Sequence, residues 1–273
     1  MSLRIVILGC GSSGGVPRVG GDWGLCDPAE PKNRRTRCSI LVDYWEGGEI
    51  PAPKARTSVL IDTSPDLREQ ALATNLQRID ALLYTHDHAD QSHGIDDLRA
   101  LAYRMRKQIP TYMDAHTHID IFNRFKYCFE VPEGRVHPPI LDLQDMIKGG
   151  DNLTIDGPGG TLNIEPFEVS HGPTPALGFI FDKRAAYSPD VWDVPLKSLS
   201  RLQDMELWVV DALRYNTHPT HANVDKCLSW IAKTKTQRGV LTNLHIDIDY
   251  KTISEELFGN VSAAYDGMEL FTS

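Results

Sequence analysis

The sequence predicts an α/β layered fold whose sheets are covered by helices, and three observations predict it. Short apolar, β-branched runs stop at glycine or turn residues; the first three follow one another with no helix between them; later ones alternate with amphipathic stretches. The first strand is expected over residues 3–8, closed by Gly9, and the second over 38–44. Residues 9–37 between them are rich in Gly, Pro and charge and too long for a plain connector, which points to a functional loop. A third strand is expected over 58–62, after the Gly- and Pro-containing segment 47–53. Ser64-Pro65-Asp66 then reads as a helix start, with proline at the first helical position and the helix running to about Asn75. A strand over 81–85 delivers the chain into a histidine-rich segment, and 96–106 resumes a helical pattern on Leu98, Leu101 and Ala102. Strands follow at 161–169, 176–181, 185–187, 207–211 and 239–244, with helices at 196–202 and 222–235.

The 273 residues are 41% hydrophobic and 24% charged, an ordinary globular composition that excludes disorder and collagen-like repeats. A single domain over residues 1–273 is expected. Lys and Arg number 28 against 37 Asp and Glu, so the net charge of -9 repels polyanions and makes nucleic acid an unlikely stable partner. A small phosphate compound still fits, since a metal or basic pocket overrides the mean charge at short range. Five cysteines, Cys10, Cys26, Cys38, Cys128 and Cys227, contain no C-x-x-C pair and suggest reduced thiols. The apolar run 5–8 is too short for a signal-peptide core, and no stretch approaches the ~18 apolar residues of a membrane span. A cytoplasmic protein off the membrane is expected.

Gly9-Cys10-Gly11-Ser12-Ser13-Gly14 matches G-x-G-x-x-G after a strand. The dinucleotide fingerprint needs a helix opening on its glycines, whereas Gly15-Val16-Pro17 cannot propagate one. Two readings stay open: a tight turn with positive φ, or a backbone loop approaching an anion through Ser12 and Ser13.

Residues 85–93 place three histidines and two aspartates together between a strand and a helix. In extended backbone, residues two apart project the same way, so His86, His88 and Asp90 can face one point, and imidazole with carboxylate suits Zn²⁺ or Mn²⁺. His171, Asp190 and His245 each follow a predicted strand, where sites gather. Singly, each also reads as a turn or capping residue.

With these residues in view, the sequence resembles the metallo-β-lactamase-fold hydrolases, whose H-x-H-x-D-H motif reads here His86-x-His88-x-Asp90-Gln91. The likeness runs from the Gly-rich first turn through Leu60-Ile61-Asp62 to Leu241-Thr242-Asn243-Leu244-His245, and is strongest to the cyclic ribosyl phosphate phosphodiesterase branch of phosphonate metabolism. It implies a four-layer αββα sandwich of two mixed sheets flanked by helices. It also implies two divalent ions, the first on His86, His88 and His171, the second on Asp90 and His245, with Asp190 bridging. Asp62 would stand behind the ligands. Gln91 replaces the family's second-site histidine, so that site is expected to be weakened, with His93 either swinging in or serving as a cap or surface residue. The family's structural zinc is not expected, because Ile248 stands where its histidine would be and the cysteine cluster is missing. Homodimers are common in the family, though no amphipathic seam marks an interface here.

Two ions ~4 Å apart activate a bridging hydroxide and clamp both oxygens of a displacement, which suits a small, possibly cyclic, nucleotide or sugar phosphate diester. A helix opening near 92–96 would add a positive end beside them. By resemblance His221 is the general acid, with Arg214 and His218 beside it as substrate contacts; His221 also reads as the cap of the helix after it. Asp90, Asp190 and His221 are thus the expected catalytic residues. Competing readings are a ribonuclease or a thioester or lactam hydrolase of the same fold, and a catalytically weakened nucleotide-binding protein.

Overall fold

The computed structural model describes residues 2–131, 134 and 136–272. Strands β1 (Ser2–Gly9), β2 (Ser39–Trp45) and β3 (Thr57–Ile61) pair antiparallel in series, with Ile5 opposite Val42 and Val42 opposite Val59. Helix α1 (Leu67–Ala73) leads to β4 (Ala81–Leu83), then α2 (Ala89–Ser92), α3 (Leu98–Met105), β5 (Ile109–Tyr112), α4 (Ala115–Phe129) and β6 (Leu141–Leu143). The pairs β3–β4, β4–β5 and β5–β6 are parallel. The chain continues through β7 (Leu153–Gly157), β8 (Gly160–His171), β9 (Thr174–Phe181), β10 (Ala185–Ser188), α5 (Leu196–Leu199), β11 (Leu207–Asp211), α6 (Val224–Thr234), β12 (Gly239–Thr242), α7 (Tyr250–Glu256), β13 (Val261–Ala263) and β14 (Glu269–Thr272). Two seven-stranded mixed sheets result, ordered β14-β1-β2-β3-β4-β5-β6 and β13-β12-β11-β10-β9-β8-β7.

Both faces of the central strands are apolar, and the period of two sorts them. Leu3, Ile5 and Ile7 of β1, Val59 and Ile61 of β3, Leu207 and Val209 of β11 and Val240 of β12 meet in one core between the sheets. Their neighbours Val6, Leu8, Leu60 and Leu82 turn outward under α1, α3 and α4. Trp208, Val210 and Leu241 turn outward on the other side with residues of α6 and α7. The layers are therefore helices, sheet, sheet, helices, as expected. Each such buried side chain contributes about 1.5–3 kcal/mol of transfer free energy.

The first helix starts later than predicted, at Leu67. Pro65 stays outside it, and the Asp66 carboxylate instead accepts the Arg37 backbone N–H at 2.9 Å and pairs with its guanidinium. The sequence reading passed over β5, β6, β7, β13, β14, α4 and α7. Pro110 inside β5 masks a strand at the sheet's far side, and α4 is announced only by Asp114, whose side chain accepts the Thr117 N–H at 2.7 Å. The Gly-rich first turn also differs from expectation. Of its glycines only Gly15 has positive φ, whereas a Cβ on Gly9 would lie 2.1 Å from the Arg37 carbonyl oxygen and one on Gly11 2.9 Å from Arg35 Cβ. Close approach of residues 35–37 is what these glycines permit.

That approach is fastened by Asp266, whose carboxylate accepts the Thr36 N–H and hydroxyl at 2.7 and 2.6 Å and the Cys10 N–H at 3.1 Å. Burial raises its pKa to about 6, against the lowering effect of those hydrogen bonds. Because the folded pKa lies above the unfolded one, Asp266 stabilises the fold fully below pH 4, and this contribution is lost as pH rises through 6. Asp266→Asn is expected to gain ~2 kcal/mol relative to the parent between pH 4 and pH 7. Urea unfolding of both proteins across that range checks it; a constant difference would refute it.

Candidate metal centre and cleft

The carboxyl ends of β4, β10, β11 and β12, with the end of β8, open on one cleft of about 440 Å³. Ser12, Ser13, Arg18, His88, Asp90, His171, Asp190, Arg214, His218, His221, Asn243 and His245 line it, with Thr174 and Thr220 among them. β4 delivers His86 and His88 on extended backbone. Asp90 does not continue that series, because it lies in the helical turn α2, for which His88 is the N-cap position.

His86, His88 and His171 bring ligand nitrogens within 4.8 Å of one another. Their hydrogen-bond partners fix the tautomers. Asp62, fully buried at the end of β3, accepts the Thr85 N–H and hydroxyl, both at 2.8 Å. With its proton so committed, the Thr85 oxygen accepts His86 Nδ1–H at 3.0 Å. His86 Nε2 is then a bare acceptor, and it is buried without a partner. His171 Nδ1 donates to the Thr220 carbonyl at 2.9 Å, which leaves its Nε2 lone pair 3.3 Å from His88 Nδ1. His88 Nε2 in turn faces the Thr174 hydroxyl at 3.2 Å. With His88 Nε2–H donated to the Thr174 hydroxyl, His88 Nδ1 becomes the third lone pair of the trio, an arrangement that a cation would resolve. Burial first, then the neighbouring imidazoles, hold His86 well below its ordinary pKa and His171 down at about 4, so both are neutral as ligation requires.

Asp190 lies beyond β10, its oxygen within the same 4.8 Å span of His171 and His221. It accepts Gln91 Nε2–H at 2.9 Å and Asn243 Nδ2–H at 3.2 Å. Burial raises its pKa well above the carboxylate range; His221 works the other way. A carboxylate still has lone pairs free beside two such bonds, so the three histidines form one ligand group and Asp190 offers a further oxygen on its His171 side.

The residues expected for a second ion do not fit one in the same way. His245 Nε2 faces the Arg18 guanidinium, and His245 Nδ1 lies 3.0 Å from Asp247. Gln91 turns its N–H₂, which cannot ligate, toward Asp190 and leaves its oxygen buried and unpartnered. His93 is exposed and sets its ring against Phe125 at 5.5 Å, away from the cleft.

His221 faces the cleft with Nδ1 2.8 Å from Asp211 and 3.7 Å from Asp190. Burial lowers its pKa, but Asp211, Asp190 and Asp90 prevail and raise it to about 9. The cap of α6 is Asn223, whose side chain accepts the Lys226 N–H, so the capping role read for His221 belongs elsewhere. Arg214 binds the Thr217 carbonyl at 3.0 Å, and His218 packs 5.1 Å from the His221 ring. The buried Ser12 hydroxyl has no partner. Asp96 and Arg99 form a surface pair at 2.6 Å.

Arg18, Asp211 and Asn243 were not assigned roles from sequence. Asp211 ends a predicted strand as Asp190 follows one, so that signal was present. Arg18 gave none beyond lying in an overlong loop.

Residues 57–246 match the family model of the beta-lactamase superfamily domain. The chain is 30% identical over 274 residues to an octanoyltransferase of Porphyromonas gingivalis, covering 98% of this chain and 51% of that one. It spans about half the length of the curated relatives it matches. A crystal structure of a new diphosphatase from the PhnP family superposes with a TM-score of 0.84 at 31% identity, over 98% of this chain and 97% of that one. Zn²⁺-bound PqqB from Methylobacterium extorquens shares the fold, with a TM-score of 0.70 at 19% identity over 98% and 99% of the two chains.

Proposed function

The chain belongs to the beta-lactamase superfamily, and from that premise we propose that it is a metal-dependent phosphodiesterase acting on a small phosphorylated substrate, a nucleotide or sugar phosphate. The observation that carries this reading is the cleft itself, where a cation-ready histidine trio faces a protonated His221 and two guanidinium groups. The likeness to a diphosphatase supports phosphoryl chemistry in general. Residues 1–273 would act as one domain, in the cytoplasm, in keeping with five cysteines that are all free.

A divalent ion on His86, His88, His171 and Asp190, zinc or manganese, would supply Lewis-acid polarisation and an activated water. The chain's own groups do the rest. Arg18, Arg214 and the Ser12 hydroxyl meet the phosphoryl oxygens and exclude bulk water from one side of the cleft. Asp90, with no hydrogen bond or ion pair among the described residues, is open to accept a proton from water. Asp211 holds His221 through Nδ1, which leaves Nε2–H to protonate the departing alkoxide. Asp211, the largest of the effects that raise the His221 pKa, favours the protonated ring that a general acid needs.

Hydrolysis of bis(p-nitrophenyl) phosphate by metal-stripped protein, titrated with Zn²⁺ and Mn²⁺, tests the reading. Turnover is expected to rise with added metal. Protein that binds metal yet leaves the diester intact would defeat it and turn attention to thioester or lactam substrates.

A further inference from the structure

We propose that Arg18 takes the place of a second metal ion, so that the cleft holds one divalent cation and one fixed guanidinium per chain. The inference rests on the metal-dependent reading above and concerns the ground between Asp190, Asp90 and His245.

Three independent observations meet there. Guanidinium has only donors, so the His245 nitrogen that faces Arg18 Nη2 must accept, and its lone pair is spent on Arg18. Asp247 holds the other ring nitrogen from two sides, with its carboxylate 3.0 Å away and its backbone N–H at 3.3 Å, which keeps the ring turned toward Arg18. Gln91 meanwhile spends its N–H on Asp190, at the position where the motif otherwise carries a third ligand. Of the three positions expected to hold the second ion beside Asp190, namely Asp90, Gln91 and His245, Asp90 alone keeps a charged or imidazole donor uncommitted, too few to hold an ion.

The backbone keeps room for this arrangement. A Cβ on Gly14 would lie 3.1 Å from both Cγ and Nε of Arg18, so the absent side chain leaves the channel along which the arginine reaches the cleft. Arg18 is anchored at its own backbone, its N–H on the Asp22 carbonyl at 2.8 Å and its carbonyl accepting Gly21 N–H at 2.9 Å. Among the described residues no carboxylate pairs with it, so its charge stays available to an anion in the cleft. The planar fork meets two phosphoryl oxygens at once, which a single point charge does not. One fixed positive charge thereby serves the oxygen-clamping role of the second ion without its ligands.

Metal content decides it. Full-length protein is saturated with Zn²⁺, or in parallel Mn²⁺, freed of unbound metal by gel filtration and analysed by plasma mass spectrometry. One ion per chain is expected for the parent, and two for the double variant Arg18→Ala/Gln91→His, which frees His245 and restores the third ligand. Two ions in the parent overturn the proposal. One ion in both proteins also overturns it, because Arg18 and Gln91 would then not be what excludes the second. No bound ion in the parent would instead defeat the metal-dependent reading on which the proposal stands. On the metal-loaded parent, inhibition by inorganic phosphate should weaken about tenfold in Arg18→Met, a loss of the size given by one charge-assisted contact; unchanged inhibition would count against it.

Discussion

Asp190→Asn loses turnover on bis(p-nitrophenyl) phosphate by ~10³-fold or more, because the side chain joins the histidine trio to the His221 side of the cleft. It is a buried acid in the cleft wall that both Gln91 and Asn243 hold in position. The variant is expected to bind Zn²⁺ more weakly while its far-ultraviolet circular dichroism stays that of the parent. Equilibrium dialysis against a chromophoric chelator separates the two effects. Parent-like affinity together with parent-like turnover would remove Asp190 from the site.

Asp211→Asn costs ~10²–10³-fold in kcat, the range for a general acid deprived of the group that orients and charges it. Asp211 is completely buried, and its Oδ2 also accepts the Val191 N–H at 2.8 Å, so the carboxylate cannot turn away from His221. Asparagine keeps the shape and removes the charge. The alkaline limb of the rate profile, set by a histidine now held to about pH 9, should move toward neutrality by at least one pH unit. His221→Ala should lose as much, and the double variant little more, since the two act as one unit. A limb that stays near pH 9 in Asp211→Asn would assign the acid to another group.

Much of this molecule was legible before its structure. Short apolar, β-branched runs located β1 to β4 and β8 to β12, and the strand-end rule brought His86, His88, His171 and Asp190 to one cleft from positions more than a hundred residues apart. What the pattern missed has physical causes. β7 alternates polar and apolar residues at a sheet edge, and β14 is a short strand that finds its partner only across the chain, Leu3 opposite Thr272. Local periodicity carries no information about such pairing. The side-chain contacts of the cleft were equally hidden. That His245 meets Arg18, and that Gln91 turns its nitrogen and not its oxygen to Asp190, depends on distances between loops that spacing in sequence does not encode.

His86 and His88 leave the first sheet, while His171, Asp190, Asp211 and His245 leave the second. Whatever occupies the cleft therefore spans a seam between two halves otherwise joined through the apolar core between the sheets. Occupancy and resistance to unfolding become a single thermodynamic quantity: a ligand at a hundred times its dissociation constant adds about 2.7 kcal/mol to the folded state. Selection acting on catalysis in such a molecule acts at the same time on its lifetime, because each substitution that loosens the cleft also loosens the joint.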